Sequence, residues 1–319
     1  MKSIWDTLPT PFFVLAPMEA VTDVVFRHVI KRAGEPDVFL TEFANATGWV
    51  HAGDRAIAGR LLKTDDEHPL IAQIWGGEPG DMEQFAKHCA DLGFDGIDIN
   101  MGCPAKSAIK SGGSALIRKP DVAIAAIAAA KTAGLPVSVK TRLGYTHTNE
   151  WREWLSILLS QDIVALTIHL RTKKEMSKVP AHYELIDDII ALRDSIAPRT
   201  KLIINGDIRN RSHGLQLIAQ HPGIDGIMIG RGVFSDPFAF EKMPHTLSEE
   251  QTKSALISLL HDHLDLFDQY QPKTMRPFET LKRFFKIYIR DFDGASSLRD
   301  QLMHTKSTDE VRTILKSVS

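Results

Sequence analysis

The chain has 319 residues, 43% of them hydrophobic, and a formal net charge of −2. That length suits one α/β barrel of roughly 250 residues with an appendage, or two domains, and the charge excludes a protein-wide basic field, so any nucleic-acid contact must be local. Only two cysteines are present, Cys89 and Cys103, which excludes a disulfide framework and suits a reducing cytoplasm.

The opening Met1-Lys-Ser-Ile-Trp-Asp6 has no signal-peptide pattern, and no apolar run reaches the roughly 20 residues of a membrane span. A cytoplasmic protein is expected, with no membrane contact and no obligate protein partner. Buried strands are expected at Phe12–Ala16, Val38–Glu42, Leu70–Trp75, Gly96–Asn100, Val137–Thr141, Val164–His169, Lys201–Asn205 and Gly226–Ile229. Between them, Asp81–Leu92 ends at Gly93, and Pro120–Ala133 begins on proline and ends at Gly134. Asp187–Ile196 stops before Pro198, and Ser212–Gln220 before Pro222. These are helix patterns with their usual punctuation. Strand and helix alternating in this way predict a (β/α)8 TIM barrel. A doubly wound sheet usually has fewer strands, and no G-x-G-x-x-G follows the first.

Past Pro244-His245 the pattern changes. Ser248 is placed to cap a helix, and Thr252–Gln269, Pro277–Arg290, Ser296–Met303 and Thr308–Ser317 read as helices, with a break at 270–275. The expected division is a barrel over residues 1–244 and a C-terminal all-helical domain over 245–319.

A barrel places its chemistry at the C-terminal ends of its strands. Those ends are polar almost throughout: Pro17-Met18-Glu19, Thr41-Glu42, Gln73 before Trp75, Asn100 leading to Cys103, Lys140-Thr141-Arg142, His169-Leu170-Arg171, Asn205-Gly206-Asp207 and Gly230-Arg231-Gly232. An isolated cysteine is more often a core residue. Cys103, however, lies in a loop beside Asn100 and Lys106, which fit a core poorly. The glycines after the last two strands, with Arg231, occupy the positions where barrels hold a phosphate on backbone N–H groups. Lys140 is placed to stabilise negative charge on an isoalloxazine, with His169 as a second donor and Gln73, Pro17 and Met18 nearby; these groups suit a flavin. No metal-ligand spacing is evident: His261 and His263, two apart on a helix, diverge.

Ala16-Pro-Met-Glu-Ala-Val-Thr-Asp23, Asn100-Met-Gly-Cys-Pro-Ala-Lys106, Val139-Lys-Thr-Arg-Leu-Gly144, Asn205-Gly-Asp207 and Ile229-Gly-Arg-Gly232 together resemble the tRNA-dihydrouridine synthase family, in the family's order. The resemblance implies an FMN enzyme that reduces the C5–C6 double bond of uridines in tRNA with NADPH. By resemblance, Cys103 gives the proton to C5. FMN contacts fall on Pro17, Met18, Gln73, Lys140, His169, Asn205, Gly206, Asp207, Gly230 and Arg231, while Asn100, Lys106 and Arg171 meet uracil or nearby RNA. Two features depart from the family pattern: Leu170 stands where glycine is usual, and the loop from Cys103 to Ser114 is slightly shorter.

From Lys273 to Arg290 six basic residues face one acid, Glu279, with Phe278, Phe284, Phe285 and Tyr288 interleaved. The aromatics suit the buried side of an amphipathic helix, and Lys282, Arg283 and Lys286 are the expected phosphate contacts. The competing readings are an FMN barrel acting on a free small molecule such as dihydroorotate, which leaves the basic tail unexplained, and a non-enzymatic RNA-binding protein that would tolerate Cys103→Ala.

Overall fold

A computed structural model describes residues 3–57, 59–243 and 247–316. Parallel strands β1 (Phe12–Leu15), β2 (Phe39–Leu40), β4 (Leu70–Trp75), β5 (Gly96–Asn100), β6 (Val137–Arg142), β7 (Ala165–His169), β8 (Lys201–Asn205) and β9 (Gly226–Ile229) pair in the order β1-β9-β8-β7-β6-β5-β4-β2. A parallel bridge between Val14 and Val38 joins the two ends, with Leu15 N–H donating to Val38 O at 3.2 Å. The result is a (β/α)8 barrel, as expected. Four strands match their expected limits residue for residue: β4, β5, β8 and β9. They are the short β-branched runs bounded by clear breakers.

Two local departures from expectation stand out. The second strand is shorter than Val38–Glu42, because Thr41 turns its hydroxyl to accept the Gln73 N–H at 3.0 Å. An unexpected two-residue strand, β3 (Ala44–Asn45), then pairs with β4, and Asn45 goes on to cap the following helix by accepting the Gly48 N–H at 2.6 Å.

Alternation along each strand sorts the side chains. One set packs outward against the surrounding helices in the main core. The other fills the bore, where Trp5, Phe12, Val14, Val38, Leu40, Ile71, Ala165, Ile203 and Met228 form a separate apolar cluster. Toward the C-terminal ends the inward residues become polar. Gln73, Asp98, Ser138 and Thr167 are all buried there, and above them lie Asn100, Lys140, Arg142, His169 and Asn205. Register aligns Asn100 with Lys140, and Arg142 with His169 and then Asn205.

The tail begins as expected at Ser248, whose hydroxyl accepts the Gln251 N–H while Gln251 returns a bond to the Ser248 N–H. Its first helix, Glu249–Thr274, continues through the expected break at 270–275 with Pro272 inside it. Burial of Tyr270 and Thr274 holds that last turn, which ends at Met275 in the left-handed region, φ 55°. The helix expected over Pro277–Arg290 is instead two 3-10 turns and the single α-turn Phe285–Tyr288. Leu281, Phe284, Phe285, Ile287, Tyr288 and Ile289 are all buried, more than one stripe of a regular helix can turn inward. The helices Ala295–Met303 and Thr308–Leu315 follow. The tail packs on the helix Val24–Ala33, where Phe26 stacks on Phe284 with centroids 5.1 Å apart. The boundary expected between 244 and 245 lies outside the described residues.

Candidate active site

The C-terminal mouth of the barrel opens into a cavity of about 670 Å³, within the range of small-molecule and cofactor sites. Of the residues singled out in the sequence, Pro17, Met18, Asn100, Cys103, Lys140, His169, Asn205, Gly206, Asp207, Gly230 and Arg231 line it. They arrive from six strand ends, so the barrel gathers what the chain disperses.

Charge in this mouth is set by burial. Lys140 is half-buried, and loss of water, reinforced by Arg142, pushes its ammonium down to about 8. Among the described residues its one hydrogen-bond acceptor is Asn205 Oδ1 at 3.3 Å, which leaves a three-donor group able to bind a ligand. Asn205 is itself fixed by donating to Met228 O at 2.8 Å. His169 Nε2 lies 3.0 Å from Arg171 Nη1. Arginine only donates, so Nε2 accepts and the ring proton sits on Nδ1. Burial and the cations Arg142, Lys140, Arg171 and Arg231 hold His169 well below its ordinary value, hence neutral.

Asp207 adopts a left-handed backbone, φ 53°, and accepts from the Ala181 N–H at 3.0 Å and from Arg171. Its other oxygen lies 3.4 Å from Arg231, so the carboxylate aligns the exposed Arg231 side chain with the mouth. Burial opposes its ionisation, but Arg171 and the Ala181 N–H outweigh it and keep Asp207 below the usual carboxylate range. Gly206, with φ 125°, and Gly230, where a Cβ would approach Ala16 Cβ to 3.4 Å, leave the backbone bare on this side.

Cys103 is half-buried on the loop after β5. Asn100 Oδ1 accepts the N–H groups of Gly102 and Cys103 at 3.0 and 2.9 Å. From the other side Arg142 Nε donates to Gly102 O at 2.7 Å. The thiol is raised above its ordinary value, by burial first and by Glu19 in addition, against the lowering pull of the Ala105 N–H, Arg142 and Lys140. It is therefore protonated at neutral pH, as a proton donor must be. Cys89, by contrast, is a fully buried packing residue.

Six sequence-selected residues stand outside the lining. Gln73 is fully buried beneath it, donating to Asp98 and accepting from Asn100. Arg171 is 2% exposed and bonds Val179 O, Asp207 and His169, so its guanidinium is spent internally. Lys282 pairs with Glu279 at 3.0 Å, whereas Arg283, Lys286 and Lys106 are exposed. Leu170, where glycine is usual, turns its side chain into the outer core and away from the cavity. Arg142 and Asp98 were missed as site residues. Each stands two positions from a chosen residue, Lys140 or Asn100, and the period of a strand puts both on the inward face. His263, fully buried, meets Tyr288 Oη at 2.7 Å, and no group of metal-ligating side chains occurs among the described residues.

The family model for dihydrouridine synthase (Dus) matches residues 14–318. The chain belongs to the dihydrouridine synthase family. It is 57% identical over 316 residues to the probable tRNA-dihydrouridine synthase 2 of Bacillus subtilis (strain 168), covering 98% of this chain and 96% of that one. It is 54% identical to the probable tRNA-dihydrouridine synthase of Staphylococcus aureus (strain Mu50 / ATCC 700699), covering 98% and 95%. Among solved structures, the 6-hydroxypseudooxynicotine amine oxidase of Pseudomonas geniculata N1 aligns with TM-score 0.52 at 13% identity, over 72% of this chain and 46% of that one. That likeness concerns the fold alone. No helix among the described residues is long and apolar enough to cross a membrane.

Proposed function

We propose that this member of the family is a tRNA-dihydrouridine synthase that holds FMN in the barrel mouth, draws on NADPH as reductant and reduces the C5–C6 double bond of uridine in tRNA. The observation that carries this reading is a protonated thiol, Cys103, at the rim of a cavity floored by the half-buried Lys140 ammonium and the neutral His169.

The residues fit the cofactor. Lys140 keeps donors free toward the cavity, and His169 presents Nδ1–H as a second donor. Gly206, Asp207, Gly230 and Arg231 offer bare backbone and a cation to a phosphate. Pro17 and Met18 offer backbone and a soft, polarizable surface to a ring system. FMN held there by Lys140, His169 and the Gly206–Asp207 and Gly230–Arg231 turns would, once reduced, supply the hydride chemistry that C6 of the uracil needs. Cys103 holds the proton that completes the reduction at C5, so that one hydride and one proton together saturate the bond. Asn100 and Arg142 fix the loop that carries the thiol. Lys106, exposed just beyond Cys103, and Arg283 and Lys286 on the tail are the cations left to meet RNA phosphates.

The test begins with the absorbance of the purified protein, followed by NADPH and then unmodified tRNA. A flavin spectrum that bleaches with NADPH and recovers faster with tRNA, with dihydrouridine found in the RNA, is the expected result. Cys103→Ala should retain the flavin and its reduction by NADPH while slowing the tRNA-dependent recovery by ~10²–10⁴, the usual range for losing a general acid. Bound flavin with no response to tRNA would favour a small-molecule reductase. Failure to bind FMN even on reconstitution would overturn the cofactor assignment.

A further inference from the structure

We propose that Asp98 is a positioning residue for this reaction: through Gln73 and Asn100 it fixes the backbone that carries Cys103. The inference rests on the reading of Cys103 as proton donor.

The three side chains form one directed chain down the bore. Asp98 Oδ2 accepts from Gln73 Nε2 at 2.7 Å, Gln73 Oε1 accepts from Asn100 Nδ2 at 3.0 Å, and Asn100 Oδ1 accepts the N–H groups of Gly102 and Cys103. An ionised carboxylate only accepts, and a side-chain amide presents one donating and one accepting end. Asp98 therefore turns the NH₂ of Gln73 toward itself, which turns the oxygen of Gln73 toward Asn100 and the oxygen of Asn100 toward the loop. Both ends of the chain demand the same polarity, so neither amide can flip without stranding a buried donor. Ser138 holds the other oxygen of Asp98 at 2.7 Å and so fixes the carboxylate itself.

Burying a charge at this depth is unfavourable unless it is well bonded. Asp98 is 1% exposed, and burial, opposed by Ser138, Gln73 and Lys140, raises its carboxyl to about 6. An apolar side chain would fill the bore at lower desolvation cost. What an apolar residue cannot supply is a fixed acceptor at the base of the chain.

The test compares Asp98→Asn, which removes the charge but keeps an oxygen for Gln73, with Asp98→Leu, which removes both. Thr167→Val, equally deep on the inward face but off the chain, is the control. Two readouts are taken: the rate at which N-ethylmaleimide modifies Cys103, followed by intact mass without tRNA, and the tRNA-dependent rate at saturating tRNA, with the KM for tRNA. Cys89 is fully buried and should not compete for the reagent. Asp98→Leu should be modified about tenfold faster and turn over about tenfold slower, the effect of freeing one buried hydrogen-bonded link, with KM unchanged. Asp98→Asn and Thr167→Val should stay close to the parent in both.

If Asp98→Leu does not fold, Gln73→Leu breaks the same chain at its middle and must give the same pattern. Parent-like modification and turnover in the chain-breaking variant would overturn the proposal. So would an Asp98→Asn protein as impaired as Asp98→Leu, because charge rather than the chain would then be responsible. A Cys103→Ala protein with parent-like turnover would instead sink the proton-donor reading, while the modification rates would still report the chain.

Discussion

Arg276 offers the sharpest test of how the tail is tied to the barrel mouth. It follows the tail's long helix, and one of its nitrogens faces Glu42 at the end of the second strand while the other lies 3.1 Å from Asp23 Oδ2. Glu42 is fully buried, and its Oε1 has no hydrogen-bond partner among the described residues. Burial raises the Glu42 carboxyl from the ordinary 4.5 to about 7, with Arg276 the largest opposing influence and Asp23 and Glu19 acting in the same sense as burial. Arg276→Ala should therefore drive it above 7. The folded value lies above the unfolded one, so the folded state holds an extra proton, and stability falls as pH rises from about 4.5 to the folded value. In the parent that fall ends near pH 7; in the variant it continues. Below about pH 6 the two proteins bear the same ionisation penalty. Above pH 7 the variant should lose a further factor of ten in folding equilibrium per pH unit, about 1.4 kcal/mol. Toward pH 9 the total should approach the ~3–5 kcal/mol typical of breaking a buried pair. Denaturant unfolding at several pH values, with Glu42→Gln added to remove the pH-dependent part, measures this. A loss equal at low and high pH, or one that Glu42→Gln leaves unchanged, would refute the reasoning.

Three further outcomes are expected. Lys140 titrates near 8, so FMN affinity of the apoprotein, read by flavin fluorescence, should be level below that pH and weaken as the ammonium loses its proton above it. Lys140→Met should flatten the curve, and a flat parent curve would remove Lys140 from the site. Gly226→Ala puts a Cβ 2.4 Å from Phe12 Cε2, inside a packed bore, and should cost about 1–3 kcal/mol in unfolding measurements; Phe12→Leu should recover part of it. Arg283→Ala with Lys286→Ala should lower the slope of log K for tRNA against log salt by about 0.7–0.9 per lost phosphate contact, whereas Lys282→Ala, already paired with Glu279, should change it less.

The barrel was legible because its strands are short β-branched runs whose limits are set by glycine, proline and asparagine, and because polar residues fall in phase at their ends. The tail was less so. Composition shows six basic residues between Lys273 and Arg290, but not that Arg276 is drawn in by Glu42 and Asp23 or that Lys282 faces Glu279. The Arg276 pairs span more than two hundred residues and leave no local trace, whereas Lys282 and Glu279 stand three apart, a spacing the sequence does carry. The interleaved aromatics were expected to face inward and do, yet packing adjacent Phe284 and Phe285 into one core requires 3-10 turns that a helical period does not describe. In the site, choosing residues by motif reached Asn100 and Lys140 but passed over Asp98 and Arg142 on the same inward faces. Carrying the two-residue period one step further would have found both.

That omission matters because the inward faces divide the labour of the barrel. Phe12, Val14, Leu40, Ile71, Ile203 and Met228 close the lower bore with side chains that need no partners and supply apolar burial, the main stabilising term in folding. Gln73, Asp98, Ser138 and Asn100 above them hold polar groups that would be destabilising if any lacked a partner, and each is bonded to another of the set. At the top the pattern runs short of internal partners: among the described residues Lys140 has a single acceptor, and the Cys103 thiol sits raised and protonated at the rim. A surplus of oriented donors above a saturated layer binds an electron-rich ligand without reorganising. The saturated layer keeps the surplus from collapsing onto the protein itself. The reactive end of this barrel is thus determined as much by the bonded residues below it as by those that line the cavity.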